Sequence, residues 1–332
     1  MKDNSKFLII QTAFLGDVVL ATPIIEKLHR FYPGAQIDIV VRKGNEGLLN
    51  DHPILNTVHV FDKSKGKYKN LLALAKTLRK EKYTQVINLQ RFATTGLLTA
   101  LSGGKERIGF DKNPFSFLYS KKIKHHIGDV QTSHEIERNL KLIEDLTDDS
   151  WQAPKLYPSA ADFDKTKQSK PYITLAPASV WFTKQWPIEK WVELADALPA
   201  ELNILLIGAP GDLTLCETIK GQIKRSDVHN MAGKFNLLQS AALMKGAKLN
   251  FTNDSAPAHL ASAMNAPVAE IYCSTVPEFG FGPVAKESYT IEVKEKLSCR
   301  PCGLHGKKAC PLGHFKCADI SIDAILTQTG LA

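Results

Sequence analysis

The sequence predicts an α/β protein made of two doubly wound domains, and three observations support this prediction. Apolar runs of strand length alternate with helically periodic segments in both halves of the chain, which is typical of parallel sheets with crossover helices. Residues 148–171 are rich in Pro, Ser and charge and lack periodicity, as a linker or domain boundary does. A length of 332 residues is enough for two hydrophobic cores. We therefore predict domains at 1–155 and 170–332.

The elements of the first domain follow from hydrophobic periodicity. Strands are predicted at 7–11, 36–41, 57–61 and 84–89. Helices are predicted at 18–32, 70–81 and 133–146. Asp17 precedes the first of these helices and is predicted to cap it, because a carboxylate accepts the free N–H groups of a first helical turn.

The second domain shows the same alternation. Strands are predicted at 172–176, 203–208, 248–252 and 268–273. Helices are predicted at 188–198, 212–222, 236–244 and 256–264. Ligands of open α/β sheets bind beyond the carboxyl ends of the strands, so a site is expected in a cleft between the two facing domains. The loops expected to line it are 11–17, 176–187, 208–212 and 252–259.

Composition limits the class of protein. Apolar residues make up 44% of the chain and charged residues 23%, as in ordinary globular proteins. The N-terminal apolar run is too short for a signal peptide, and no stretch reaches the roughly 20 apolar residues of a membrane span, so a cytoplasmic protein is expected. The net charge of +8 fits either a solvated basic surface or an anionic partner. The basic patches 65–69 and 121–126 lack the interleaved aromatics of a single-strand binder, so no nucleic-acid partner is predicted.

Two of the four loops place charged side chains at the predicted carboxyl edges. Asp17 in QTAFLGDVV is either a plain helix cap or a general base, because a helix N-terminus favours the ionised carboxylate. In APASVWFTKQWP, backbone amides together with Ser179 and Lys184 could form a phosphate cradle. An irregular loop with one exposed lysine is the alternative, since the spacing matches neither a Walker loop nor a dinucleotide fingerprint.

The other two loops are strand-to-helix turns. GAPGD (208–212) is either a simple turn or an opening that admits a nucleoside. In TNDSAPAH (252–259), Asp254 and Ser255 precede a helix whose free amides suit a diphosphate, and His259 follows one turn later. A cap with a packed histidine is the alternative reading of this loop.

Four of the six cysteines lie in the tail CRPCGLHGKKACPLGHFKC, as Cys299, Cys302, Cys310 and Cys317. Cysteine and histidine are zinc ligands, but the gaps between the later cysteines do not form the usual pair-plus-pair pattern. Packed thiols are the alternative, and no metal is assigned. A disulfide framework is not expected in a cytoplasmic chain.

These loops, taken in order, resemble those of the ADP-heptose:lipopolysaccharide heptosyltransferases, a family of inverting glycosyltransferases, and are most similar to the heptosyltransferase II type. The matching segments are GDVVLATPIIEKL (16–28), HEIERNLKLI (134–143), KQWPIEKWVELA (184–195), TNDSAPAHLASAMNAPVAEIY (252–272) and the cysteine-rich tail (299–317). The resemblance spans nearly the whole chain. It implies the GT-B fold, in which an N-terminal acceptor-binding and a C-terminal nucleotide-sugar-binding Rossmann-like domain face each other.

The resemblance implies a donor-binding role for residues of the second domain. They are Ser179, Lys184, Phe235, Asp254, Ser255, Ala256 and His259. Asp254 would contact the heptose, while Lys184 and the amides that follow Asp254 would hold the phosphates. Phe235 would pack on the adenine. The family usually has glycine where this chain has Ala256, and a positive φ there would cost an alanine about 1 kcal/mol.

The implied reaction is a single displacement catalysed by Asp17 and Lys184. Asp17 would deprotonate an acceptor hydroxyl, and Lys184 with the helix terminus would stabilise the departing ADP, so that neither cofactor nor metal is required. The acceptor would be an anionic, Kdo- or heptose-bearing lipid A precursor, met at the inner membrane surface. Candidates for binding it are Arg91, Arg107, Lys112 and Arg138, of which Arg107 and Arg138 could equally be structural ion-pair partners.

Three other functions are consistent with parts of the sequence. A GT-B transferase could use another nucleotide sugar. A sugar-nucleotide epimerase should bring several carboxylates and histidines into the cleft, and this chain shows few. A two-domain sugar-binding protein would normally be exported, which the missing signal peptide disfavours.

Overall fold

The structure, a computed structural model, describes residues 5–127 and 133–332. The chain divides between Tyr157 and Pro158 into two compact parts, called here the first and the second unit. Each unit contains a 6-stranded sheet, and every strand pair in both sheets is parallel. The predicted α/β fold class with doubly wound parallel sheets is therefore confirmed.

The sheet of the first unit has the strand order β3-β2-β1-β4-β5-β6. Its strands are β1 (Lys6–Gln11), β2 (Gln36–Arg42), β3 (Thr57–Phe61), β4 (Gln85–Asn88), β5 (Glu106–Phe110) and β6 (Lys121–Ile123). The apolar run from Phe7 to Ile10 is fully buried, as expected for a central parallel strand covered on both faces. The strand order reverses between β1 and β4, so the loops that follow these two strands lie side by side.

The helices of the first unit differ from the predicted ones at three places, and the helix at 93–101 was not predicted at all. They are α1 (Leu15–Val19), α2 (Thr22–Phe31), α3 (Lys67–Lys80), α4 (Ala93–Leu101) and α5 (Glu135–Lys141). The single predicted helix 18–32 was wrong, because the chain breaks between α1 and α2, and α2 has Pro23 in its first turn. The predicted position of Asp17 before the helix was also wrong, although its carboxylate does take part in the cap. Phe14 is the N-cap of α1, and Asp17 is its third residue, with Oδ2 accepting the Phe14 N–H at 3.1 Å.

The predicted helix 133–146 is shorter in the structure. It begins after His134, whose Nδ1 accepts the Ile136 N–H at 3.1 Å, and it ends at Lys141. A separate 3₁₀ turn follows at Glu144–Leu146. The histidine acts here as the capping acceptor, a role that is usually filled by Ser, Thr, Asp or Asn.

The sheet of the second unit has the order β12-β11-β10-β7-β8-β9. Its strands are β7 (Tyr172–Ala176), β8 (Asn203–Leu206), β9 (Val228–Asn230), β10 (Asn250–Asn253), β11 (Val268–Tyr272) and β12 (Ser288–Glu292). Its helices are α6 (Ala160–Thr166), α7 (Ile188–Ala197), α8 (Leu213–Gln222), α9 (Leu237–Gly246), α10 (Ala256–Ala263) and α11 (Ile322–Thr329). The strand order reverses between β7 and β10.

The segment 148–171, which was predicted to be a linker or domain boundary, contains a helix, α6. Ser159 caps this helix and exchanges hydrogen bonds with Asp162. Only Thr166 of α6 is buried, so the helix has no apolar stripe that periodicity could detect. Among the described residues, no helix combines the length and the apolar character needed to cross a membrane.

Candidate functional site

The two topological switch points locate the candidate sites, because ligands of open α/β sheets bind where the strand order reverses. In the second unit the loop after β7 carries Ser179 and Lys184, and the loop after β10 carries Asp254. In the first unit the loops after β1 and β4 lead to Asp17 and Arg91. Each switch point therefore brings together residues that the sequence placed in separate loops.

The centre of the second switch point is an ion pair. Lys184 Nζ lies 2.7 Å from Asp254 Oδ2, and both side chains are mostly buried, at 15% and 9% exposure. The same oxygen accepts a hydrogen bond from the Thr275 hydroxyl at 2.5 Å. Burial strengthens the Coulombic attraction within this pair, because screening by water is weak there, while desolvation of the two charges opposes it. Thr275, in the loop after β11, has no signal in the sequence that would single it out.

Asn253 holds the two loops of this site together. It is fully buried; its Oδ1 accepts the Trp186 N–H at 3.0 Å, and its Nδ2 donates to the Pro177 carbonyl at 2.7 Å. One amide side chain thus fixes both ends of the loop that carries Lys184. The sequence marked Asn253 only as part of a polar turn, so this role was missed.

Helix α10 begins directly behind Asp254, as predicted from the loop 252–259. Ser255 is the N-cap in an extended conformation, and Ala256 is the first helical residue. Ala256 does not have a positive φ, so the alanine is unstrained where the family usually has glycine. His259 lies one turn further along and is buried. Pro257 has no N–H, so the first backbone donors of this helix start are the amides of Ser255 and Ala256.

Phe235 follows a turn that lies against the loop 208–212. The Gly233 N–H donates to the Gly208 carbonyl at 3.0 Å, and a Cβ on Gly233 would come within 3.0 Å of Pro210 Cα. Gly233 has φ +74, so glycine is needed there both for conformation and for space. Phe235 is half-buried beside this turn. Ser179 is also half-buried, and its carbonyl accepts the Gln185 side-chain amide at 2.6 Å.

Asp17 is half-buried at the first switch point. The Gln90 side-chain amide donates to Gln11 Oε1 at 2.5 Å and so joins the ends of β1 and β4. Arg91 comes next in the chain and is half-buried. The structure thus places a carboxylate and a guanidinium on adjacent loops at the carboxyl edge of one sheet.

Arg138 is buried and forms an ion pair through its Nε with Glu135 Oε2 at 2.7 Å. Burial raises the pKa of Glu135 to about 7. The charge of Asp17 also raises this pKa, whereas the Arg138 guanidinium lowers it. Arg107 is the second residue of β5, at the end of the strand away from the carboxyl edge. Lys112 is exposed beyond the other end of β5.

Two basic residues near Asp17 were missed. Lys63 Nζ donates to the Thr12 carbonyl at 2.6 Å, and the guanidinium of Arg42 lies 5.8 Å from the centre of the Phe14 ring. Burial lowers the pKa of Lys63 to about 8, and the charge of Arg42 acts in the same direction. Lys63 follows β3, and Arg42 is the last residue of β2. Finding them from the sequence would have required strand boundaries accurate to one residue.

Comparison with known proteins identifies the family. The family model for glycosyltransferase family 9 (heptosyltransferase) matches residues 71–312. The chain belongs to this family. Lipopolysaccharide heptosyltransferase 3 of Escherichia coli is 28% identical over 277 residues, which cover 79% of this chain and 82% of that relative.

Two solved structures share the fold of this family 9 glycosyltransferase. The family 9 glycosyl transferase of Veillonella parvula has a TM-score of 0.82 at 21% identity and covers 99% of this chain and 97% of its own. The ADP-heptose lipopolysaccharide heptosyltransferase II of Escherichia coli has a TM-score of 0.79 at 22% identity, with 98% and 97% covered. The GT-B fold implied by the sequence is therefore confirmed.

The cysteine-rich tail of this glycosyltransferase holds free thiols. Cys317 is buried in the core of the second unit, and Cys299 Sγ lies 3.9 Å from His314 Nε2. Within residues 5–127 and 133–332, no three His, Cys, Asp or Glu side chains are grouped as a metal site requires.

Glu270 on β11 is a buried carboxyl group behind the Lys184–Asp254 pair that the sequence did not single out. It is fully buried, and burial raises its pKa well above the usual value, with the Asp254 charge acting in the same direction. The unfolded chain, with an ordinary pKa, loses this proton first as the pH rises. The carboxyl group therefore makes the protein less stable with increasing pH above the unfolded value.

We expect Glu270→Gln to gain stability relative to the wild type as the pH rises from 5 to 8, because the unfolded wild-type chain loses a proton that the folded protein retains. Glutamine has the same shape but does not ionise, so it lacks the penalty. Urea unfolding at both pH values measures the difference. Glu189→Gln, on the exposed first turn of α7, is the matched control and should show no such trend. A constant difference between Glu270→Gln and wild type would contradict the prediction.

Proposed function

We propose that this glycosyltransferase moves heptose from ADP-heptose to the inner core of lipopolysaccharide. The observation that carries the proposal is the buried Lys184–Asp254 pair at the start of α10, at the switch point of the second sheet. An ammonium beside a helix N-terminus suits the diphosphate of a nucleotide sugar. The names of the relatives, heptosyltransferase 3 and ADP-heptose lipopolysaccharide heptosyltransferase II, support heptose as the transferred sugar.

The donor is proposed to bind to the second unit. Lys184 and the amides near Ser255 and Ala256 would hold the phosphates, with His259 supporting them from the next turn. Asp254 would accept hydrogen bonds from the sugar hydroxyls. The turn that contains Phe235, together with the small residues of the loop 208–212, would accommodate the adenosine.

Bond formation is proposed to follow one displacement. Asp17 takes the proton of an acceptor hydroxyl, whose oxygen attacks the anomeric carbon of the heptose with inversion. The bond from that carbon to the diphosphate oxygen breaks, and ADP leaves with its new charge stabilised by Lys184 and the helix terminus. These fixed positive groups are proposed to act without a cofactor.

The acceptor is proposed to be an anionic lipopolysaccharide precursor, Kdo- or heptose-bearing, that binds to the first unit. Arg91 lies on the loop beside Asp17, and Lys63 and Arg42 add positive charge near the same loop. Arg138 would act through Glu135, because its guanidinium is already buried in that ion pair. The net charge of +8 would favour peripheral contact with an anionic inner membrane surface from the cytoplasmic side.

Calorimetric titration of the purified protein with ADP, GDP and UDP tests the donor. We expect tight binding that is selective for ADP. A preference for GDP or UDP would keep glycosyl transfer but remove ADP-heptose as the donor, which is the alternative of another nucleotide sugar. Binding of none of the three nucleotides would overturn the proposed function.

A further inference from the structure

A short segment of the cysteine-rich tail is bonded to the loop after β11. This segment, residues 300–307, is called the clasp. The Cys302 N–H donates to the Ser274 carbonyl at 2.9 Å, and Arg300 Nε donates to the Thr275 carbonyl at 3.1 Å. Thr275 is the residue whose hydroxyl binds Asp254. The clasp therefore fixes one neighbour of the Lys184–Asp254 pair.

The clasp is also bonded to Thr183, which precedes Lys184 in the chain. The Lys307 N–H donates to Thr183 Oγ1 at 2.7 Å, and the Thr183 N–H donates to the Lys307 carbonyl at 3.1 Å. The Ser274 hydroxyl donates to Thr183 Oγ1 at 2.9 Å, and the Ser274 N–H donates to the Thr183 carbonyl at 3.2 Å. Thr183 is 1% exposed, so these bonds are shielded from water.

This arrangement leaves Thr183 little freedom to move. Its N–H, its carbonyl and its hydroxyl oxygen are all bonded to either the clasp or Ser274. Because Lys184 is the next residue, the position of its ammonium depends on how firmly Thr183 is held. The turn at 182–184 is a single 3₁₀ turn, which has little rigidity of its own.

The clasp also lies directly against the side chain of Lys184. Gly306 has φ +74, and a Cβ there would lie 3.1 Å from Lys184 Cγ and 3.1 Å from Thr183 Oγ1. Glycine thus allows the clasp backbone to approach the aliphatic stem of the lysine closely. A methyl group at this position would push on both residues.

We propose that the clasp positions Lys184 for the diphosphate of a nucleoside diphosphate sugar, with Thr183 as the positioning residue through which it acts. The inference rests on the proposed function, and it gives the cysteine-rich tail a role at the donor site. Lys184 contacts the ligand, whereas Thr183 and Gly306 act only through Lys184.

The first test compares two variants of Thr183. Thr183→Val keeps the shape but removes the hydroxyl oxygen that accepts two hydrogen bonds, whereas Thr183→Ser keeps that oxygen. We expect Thr183→Val to raise the Kd for ADP about 10-fold, and Thr183→Ser to stay within about twofold of the wild type. The KM for the donor should rise, while the KM for the acceptor should not change. Equal ADP affinity in all three proteins would overturn the inference.

A double-mutant cycle separates positioning from a general loss of structure. If Thr183 acts through Lys184, then Thr183→Val should have no further effect on ADP affinity once Lys184 is alanine. An undiminished 10-fold effect in the Lys184→Ala background would show that Thr183 acts independently, and would overturn the inference.

If Thr183→Val does not fold, a comparison of two glycine variants tests the same inference. Gly306 and Gly313 have nearly the same φ, +74 and +71, but a Cβ on Gly313 would meet nothing within 4 Å. Both alanine variants carry similar backbone strain, so only Gly306→Ala should lose ADP affinity, by about 5- to 10-fold. Equal losses would overturn the inference while leaving the proposed function intact. A wild-type protein that binds no nucleoside diphosphate would overturn both.

Discussion

Lys184→Ala is expected to weaken ADP binding by at least about 100-fold and to reduce kcat/KM for the donor by a similar or larger factor. The variant removes the ammonium that we assign to the diphosphate. It also leaves the Asp254 carboxylate, which is 9% exposed, without its cation. A buried unpaired charge costs about 3–5 kcal/mol, and in this case the remaining charge repels the phosphates. Titration calorimetry with ADP and steady-state kinetics with the donor measure the two effects.

The control for this variant is Lys190→Ala in the same unit. Lys190 forms a pair with Glu193 three residues later, at 2.9 Å and with the Glu193 side chain 52% exposed. Such a surface pair contributes little, so this variant should bind ADP as the wild type does. The melting temperature of Lys184→Ala must be followed as well, because the unpaired Asp254 destabilises the fold. An ADP affinity within threefold of wild type would remove Lys184 from the donor site.

The sequence predicted the parts of the fold in which local pattern and burial agree. The run from Phe7 to Ile10 and the strand Tyr172–Ala176 are apolar and buried, and both were predicted within one residue. The elements that were missed are β5, β6, β9, β12, α4, α6 and α11, and three of them carry weak patterns. β6 and β9 have only 3 residues each, and α6 buries a single threonine. Their existence depends on tertiary contacts that periodicity does not record.

The candidate site was predictable in its residue types but not in its contacts. Lys184 and Asp254 were both chosen from the sequence, yet the bond between them depends on the strand order β10-β7, which no local pattern specifies. Thr183 and Thr275 are threonines in irregular loops, and only their partners distinguish them. For Asp17 the sequence offered a cap or a base. The structure makes Asp17 the third residue of α1, where its carboxylate accepts the Phe14 N–H and so takes part in the cap, and its role as a base stays a prediction.

Asp17→Asn is expected to reduce kcat by about 10³-fold while leaving ADP affinity unchanged. Asparagine can still accept the Phe14 N–H through its side-chain oxygen, so α1 should keep its start. It does not take up a proton, however, and the acceptor hydroxyl would have to attack without a base. ADP affinity should not change, because the residues assigned to the nucleotide all lie in the second unit. Single-turnover kinetics with bound donor isolates the chemical step.

Asp145→Asn in the same unit is the matched control for Asp17→Asn. Asp145 is 74% exposed and pairs with Lys121 at the surface, so its loss should leave kcat within about twofold of the wild type. A parallel fall in ADP affinity and kcat in Asp17→Asn would mean that the residue maintains structure rather than accepts a proton. Full activity in Asp17→Asn would exclude it as the base. Glu135, buried nearby with a pKa raised to about 7, would then be the next carboxyl group to substitute.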